Sequence, residues 1–267
     1  MTDGLRFGSA SPPKADGCRL RVTPRMAGWR YVGFEVYQLP FGAQSSFSTE
    51  GRELCCVLLS GRADFTFAGR EWPDVGRRSD VFEGPPHALH LPPGGTLSVA
   101  PTTEQAELAL CWAPAERSAE PVLITPSDVR VYTRGAGGTA REIRDVLMED
   151  RPAAALLVTE VLTPGGHWSS WPPHKHDTDD LPREAYLEET YYHRLRRPEG
   201  FGVQLVYTPD RSLDAVLRVG DGDVVLVPRG YHPVAAAPGC DLWYLNVMAG
   251  PVRRWAVSVD PAHGETL

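Results

Sequence analysis

Short apolar runs, five to nine residues long, are separated along this chain by turn-forming residues. They include Tyr31–Leu39, Leu54–Leu59, Leu108–Trp112, Ala155–Leu162, Gly202–Tyr207, Asp223–Val227 and Asp241–Met248. Val, Leu, Tyr, Phe and Trp dominate them, and the chain carries 26 glycines and 25 prolines as punctuation. Runs of this length and composition predict strands, and their spacing predicts an all-β sandwich or barrel rather than alternating βα units. One segment reads differently. Thr139–Asp150 (TAREIRDVLMED) has apolar residues at i, i+3 and i+4, which predicts a short helix.

The pattern also repeats. GFEVYQLPFG (Gly33–Gly42) matches LVTEVLTPGG (Leu157–Gly166) at an offset of 124 residues. RELCCVLLSG, starting at Arg52, matches EETYYHRLRR, starting at Glu188, at an offset of 136, and Pro92-Pro93-Gly94 matches Pro228-Arg229-Gly230 at the same 136. A shared offset implies a duplicated unit with about 12 residues inserted in the second copy. The expected domains are 1–125 and 126–267, meeting at the turn-prone Thr125-Pro126-Ser127-Asp128.

Charge and cysteine content narrow the partners. Lys plus Arg is 27 against 34 for Asp plus Glu, a net charge of −7. Such a surface has no long-range attraction for nucleic acid or an anionic membrane, so neither is expected as a partner. A small anionic ligand would be held by a few local cations. Five cysteines with no C-x-x-C pair predict buried free thiols. No stretch reaches membrane-span length, and MTDGLRFGSASPPKADG lacks an apolar leader, which fits a cytoplasmic location. A homo-oligomer stays open.

The second copy carries a constellation of ligands. His174 and His176 in WPPHKH are spaced i, i+2, which on a strand points both to one face. Glu188-Glu189 opens a strand further on, and GDVVLVPRGYH ends with His232 just past a Pro/Gly turn. Three imidazoles and a carboxylate can gather around one divalent cation: Zn, Mn, Fe, Co or Ni rather than Mg or Ca. Parity chooses the acid, because adjacent strand residues face opposite ways. Glu189 is favoured over Glu188, since it matches Glu53 in the repeat, and Tyr191 and His193 then share its face. The expected ligands are His174, His176, Glu189 and His232. The first copy has Glu50, Arg52 and Thr96 where the second has imidazoles, so it is expected to be metal-free.

H-x-H, a strand acid and G-D-x-V-x-V-P-x-G-x-H together resemble the two-part signature of cupins, small β-barrels with a metal in the mouth. The gap between His176 and the acid is longer than usual, and DTDDLPREAYLE fills it. Longer stretches are more specific. AGWRYVGFEVY (27–37), LLSGRADF (58–65), VFEGPPHALHLPPG (81–94), the segment 163–214 and GDVVLVPRGYHPVAAAPG with DLWYLNVMAGP (222–251) are similar to the 5-deoxy-glucuronate isomerase family. That resemblance implies a bicupin, two tandem jelly-roll barrels, with a role in inositol catabolism. It implies conversion of 5-deoxy-glucuronate to 5-dehydro-2-deoxy-gluconate by metal-assisted aldose–ketose isomerisation. A related uronate as substrate, or a cupin Fe(II) dioxygenase, is the alternative.

Isomerisation needs a base, and a sugar acid needs a cation for its carboxylate. His193, Tyr191 and Glu188 are the candidate proton carriers. Arg183 and Arg229, with Arg211 beside them, lie in loop-like segments of the second copy and are the candidate carboxylate partners. Lys175 alternates with the two histidines and is expected to face away from them.

Overall fold

Each of the seven apolar runs forms a strand, because its alternate residues find a second apolar layer to cover them. A computed structural model describes residues 4–9, 11–116 and 120–264. Among these, the single α-helix is the four-residue turn Pro24–Ala27, and almost all regular structure is strand. The chain divides into two compact units.

The earlier unit comprises Ala10–Arg130 and Val146–Val158. Its larger sheet runs Val122–Ile124, Ala88–Leu91, Arg52–Ser60, Gln105–Pro114, Gly33–Pro40, Cys18–Val22. A four-stranded sheet runs Ser45–Ser48, Thr96–Pro101, Ala63–Phe67, Arg70–Val75. Leu54, Cys56, Leu58, Leu108 and Leu110 from the first meet Phe65, Phe67, Leu97 and Val99 from the second in one core. Burial continues on the other face of the central strand, so Glu53 to Leu59 are all buried. That accounts for the adjacent pair Cys55 and Cys56, which point opposite ways yet both lie inside. All five cysteines are buried and free, and burial pushes the Cys56 thiol well above its usual range.

The later unit comprises Met1–Ser9, Val131–Asp145 and Thr159–Leu267. Its larger sheet runs Arg6–Gly8, Asp223–Val227, Glu188–Leu195, Leu242–Ala249, Leu157–Thr163, Arg141–Leu147, Arg130–Arg134. Its four-stranded sheet runs Trp168–Ser169, Val234–Ala236, Gly202–Tyr207, Asp214–Val219. The two units therefore repeat one strand order, and the repeat read from the sequence is a repeat of topology.

Two expectations are corrected here. Thr139–Asp150 is no helix: a short 3-10 turn at Gly137–Thr139 leads into the strand Arg141–Leu147. A helix would satisfy its own backbone. The strand instead joins a sheet whose neighbour, Leu157–Thr163, supplies the pairing, and it buries Ile143, Val146 and Leu147. Nor do the units meet at a single cut near residue 125. Residues 1–9 belong to the later unit because Arg6–Gly8 pairs antiparallel with Val225–Asp223, giving that sheet edge its partner. Residues 146–158 belong to the earlier unit, where the backbone N–H groups of Ala154, Ala155 and Leu156 donate to the Glu53 carboxylate at 2.8, 2.6 and 2.7 Å.

His90 completes that arrangement, 2.9 Å from Glu53, with both side chains 2% exposed. Burial alone would raise the Glu53 carboxyl, but His90 and the three amides hold it below its ordinary value. Glu53→Ala strands these donors in the interior and should lower the unfolding free energy by about 3–5 kcal/mol. Urea denaturation followed by fluorescence checks this.

Candidate metal and active site

The strand Glu188–Leu195 lies in the middle of the later unit's larger sheet, paired on one side with Asp223–Val227 and on the other with Leu242–Ala249. Its alternation places Glu189, Tyr191 and His193 on one face. Directly across stand Met248, Asn246 and Tyr244. All of these are buried.

Two turns deliver imidazoles to that face. His174 and Lys175 form a two-residue strand against Val259 and Ser258, and His176 follows. Lys175 points the other way, as parity requires, and its Nζ donates to Asp177 at 2.7 Å and Glu184 at 2.8 Å. The inserted segment folds back on itself here. Glu184 Oε1 also accepts the N–H of Asp177 and Thr178, while Asp177 Oδ2 accepts that of Gly230 at 2.7 Å. That last bond ties the first two histidines to the turn that carries the third. Gly230 has φ +86°, and a Cβ there would collide with the Tyr207 carbonyl oxygen, so only glycine brings His232 in.

The ligand atoms of His176, Glu189 and His232 all lie within 4.8 Å of one another. His174 stands beside them, its ring centre 5.0 Å from that of His232 and 6.5 Å from that of His176. Each imidazole is oriented in the same way. Nδ1 lies 3.0 Å from Pro172 O in His174, 3.0 Å from Leu187 O in His176 and 2.8 Å from Gly230 O in His232. A carbonyl can only accept, so each Nδ1 carries a proton, and Nε2 is the nitrogen left to bind a cation.

Two of those nitrogens meet a carboxylate. Glu189 Oε2 is 3.0 Å from His176 Nε2 and 3.1 Å from His232 Nε2, and Asn246 Nδ2 donates to Oε1 at 2.8 Å. His232 Nε2 is buried and has no hydrogen-bond partner despite that short distance. Lone pairs facing a carboxylate repel unless a proton or a cation lies between them. Burial alone would raise Glu189 and lower His176. Instead, the two imidazoles hold the carboxyl at about 2, and Glu189 raises the His176 ring. His174 is different: burial, then the neighbouring His232, drives it down to about 3, so it stays neutral. Three ring nitrogens and one carboxylate oxygen suit a first-row transition ion, and the orphaned Nε2 of His232 gives it a place.

The other candidates divide. Tyr191 adjoins the cluster, its ring centre 5.6 Å from that of His232, and its hydroxyl lies 2.8 Å from Ser170 Oγ. Ser170 Oγ is also 3.4 Å from the Tyr244 hydroxyl, so two phenols share one serine. His193 stacks behind Tyr191 at 6.1 Å, with Nε2 2.9 Å from Gln204 Oε1, and burial lowers its ring to about 4. Glu188 is buried on the opposite strand face. Arg183 is 79% exposed and pairs with Asp180 at 2.6 Å. Arg229 is exposed and reaches Ser212, and Arg211 lies over the Tyr207 ring. None of these three arginines is drawn to the cluster.

Sequence reasoning missed Asn246 and Ser170. Asn246 had a signal: it is a lone amide inside the apolar run DLWYLNVM, on the parity of Tyr244. Ser170, in a loop, had none.

The 5-deoxy-glucuronate isomerase of Geobacillus thermodenitrificans is 51% identical over 256 residues, covering 96% of this chain and 93% of that protein. That of Bacillus subtilis is 40% identical over 244 residues, covering 91% and 90%. The crystal structure of an IolB-like protein from Salmonella typhimurium LT2 superposes with TM-score 0.94 at 43% identity, covering 97% of this chain and 98% of that one. Oxalate decarboxylase of Lactobacillus farciminis, solved as a formate complex, gives TM-score 0.63 at 15% identity over 96% and 88%, a likeness of the bicupin fold alone. The KduI/IolB family pattern matches residues 9–266, and on that extent of agreement the chain belongs to the KduI/IolB family.

Proposed function

We propose that this chain is a metal-dependent aldose–ketose isomerase that converts 5-deoxy-glucuronate to 5-dehydro-2-deoxy-gluconate. The relatives that share its full length carry the substrate assignment. The observation that carries the chemistry is the pair of imidazole Nε2 atoms, of His176 and His232, set against Glu189, with the His174 ring beside them. His174, His176, Glu189 and His232 would hold one divalent transition ion. When bound, it supplies electrophilic stabilisation of the negative charge that develops on the substrate's two reacting oxygens.

The protein's own groups must handle protons. In this isomerisation a proton leaves C2 and one arrives at C1, while the hydroxyl proton on O2 is exchanged for one on O1. Burial raises the Tyr191 phenol well above its ordinary value, so it stays protonated at neutral pH. A protonated phenol donates. It is therefore assigned to the oxygens rather than to the carbon-bound proton, with Ser170 and Tyr244 as the hydroxyl chain behind it. His193 sits one layer deeper and orients Tyr191 by stacking. Asn246 holds the far oxygen of Glu189 and so fixes which oxygen faces the imidazoles. The sugar acid is the one partner this site needs, and a reducing cytoplasm suits its free thiols.

Metal-loaded protein, incubated anaerobically with 5-deoxy-glucuronate, should convert the aldehyde signal into that of the ketose by NMR. Absence of product with Zn, Mn, Fe, Co and Ni alike overturns the assignment. Asn246→Ala should weaken metal affinity by roughly 10–100-fold, read by competition with a chromogenic chelator, because an unsupported carboxylate rotates. Tyr191→Phe should cut turnover by about 100-fold or more at unchanged metal content. A loss of metal in that variant would reassign Tyr191 to structure.

A further inference from the structure

Three arginines are buried among the described residues: Arg78, whose Nε and Nη1 donate to Leu58 O and Gly84 O, and Arg141 and Arg144 on one strand. A buried guanidinium is costly unless an anion neutralises it. Arg144 has its anions, Glu142 at 2.7 Å and Glu160 at 3.3 Å. Arg141, three residues earlier and 5% exposed, has no carboxylate partner among the described residues. Its acceptors are all neutral carbonyls. Nη1 donates to Thr139 O at 3.0 Å and Arg134 O at 3.5 Å, and Nη2 to Trp171 O at 2.8 Å. Nε is buried with no partner at all. The unused Nε–H lies on the edge that, together with Nη2, grips a carboxylate side-on.

Its position is equally specific. Trp171, whose carbonyl it holds, precedes Pro172, and Pro172 O takes the Nδ1–H of His174. The phenols of Tyr244 and Tyr191 lie within its electrostatic reach, and the Tyr191 ring adjoins His232. An unneutralised cation thus holds the carbonyl of Trp171, one dipeptide from a histidine of the cluster. The substrate brings the missing charge. Its reacting carbons are C1 and C2, and its carboxylate lies at the far end, four bonds from C2.

We propose that Arg141 is the substrate-binding residue for the sugar-acid carboxylate, which it takes on its Nε edge while the carbonyl end lies at the His–Glu cluster. This rests on the isomerase reading and names the feature that makes the site select an acid. The competing role is a brace between the turn at 134–139 and Trp171, and such a brace accounts for the Nη bonds but leaves the charge and Nε unused.

The test compares D-glucuronate with uncharged D-glucuronamide, titrated calorimetrically into the metal-loaded full chain. The unaltered protein should prefer the acid by at least about 100-fold, the order of two charge-assisted hydrogen bonds. Arg141→Met should bring the two ligands within about threefold, and Arg141→Lys, a point charge without the fork, should keep a preference reduced about tenfold. Metal content should be equal in all three. No preference in the unaltered protein, a full preference in either variant, or equal weakening of both ligands in Arg141→Met overturns the proposal. Should Arg141→Met fail to fold, the lysine variant decides it. Turnover of 5-deoxy-glucuronate is read separately: its absence would sink the isomerase reading, while the acid–amide comparison still judges Arg141.

Discussion

Three backbone carbonyls set the chemistry of this protein. By accepting the Nδ1–H groups of His174, His176 and His232, the carbonyls of Pro172, Leu187 and Gly230 fix each ring and leave the Nε2 atoms of His176 and His232 against Glu189. The interior can tolerate those lone pairs beside Glu189 only with a positive charge among them. Everything else in the later unit keeps that geometry. Asn246 clamps the acid, Asp177 ties one ligand-bearing segment to the turn of the other, and Gly230 lets the turn close.

The same topology serves two purposes in one chain. In the earlier unit, Glu53 occupies the place in the repeat that Glu189 has in the later one. Its oxygens are taken by one imidazole and three backbone amides from the segment 154–156. A carboxylate satisfied in that way is a structural staple. Glu189 accepts one side-chain amide and otherwise faces the Nε2 atoms of two imidazoles, the setting in which it is proposed to hold a metal. The strand and the residue type are common to both, and the neighbours assign the role.

Two buried arginines on one strand follow a similar logic. Arg144 sits between two glutamates and has nothing left to offer. Arg141, on the same strand, spends its Nη groups on carbonyls and keeps its charge, so its complement has to come from a ligand.

The strands, the repeat, the parity that selects Glu189 and the four residues that gather at the cluster could be read directly from the chain. Each depends on local periodicity: a strand alternates faces whatever surrounds it, so His-x-His and the Glu189/Tyr191 face carry over into three dimensions. Thr139–Asp150 shows where that reasoning stops, because helical spacing lost to a neighbouring strand that offered paired hydrogen bonds and a covered face. Arg183 and Arg229 were plausible anions' partners by type, yet exposure and a nearby aspartate or serine use them up. Which buried arginine keeps an unpartnered Nε and which serine links two phenols are matters of contact between residues far apart in the chain. Only the folded structure decides them, because periodicity describes the faces of an element and says nothing of what comes to lie against them.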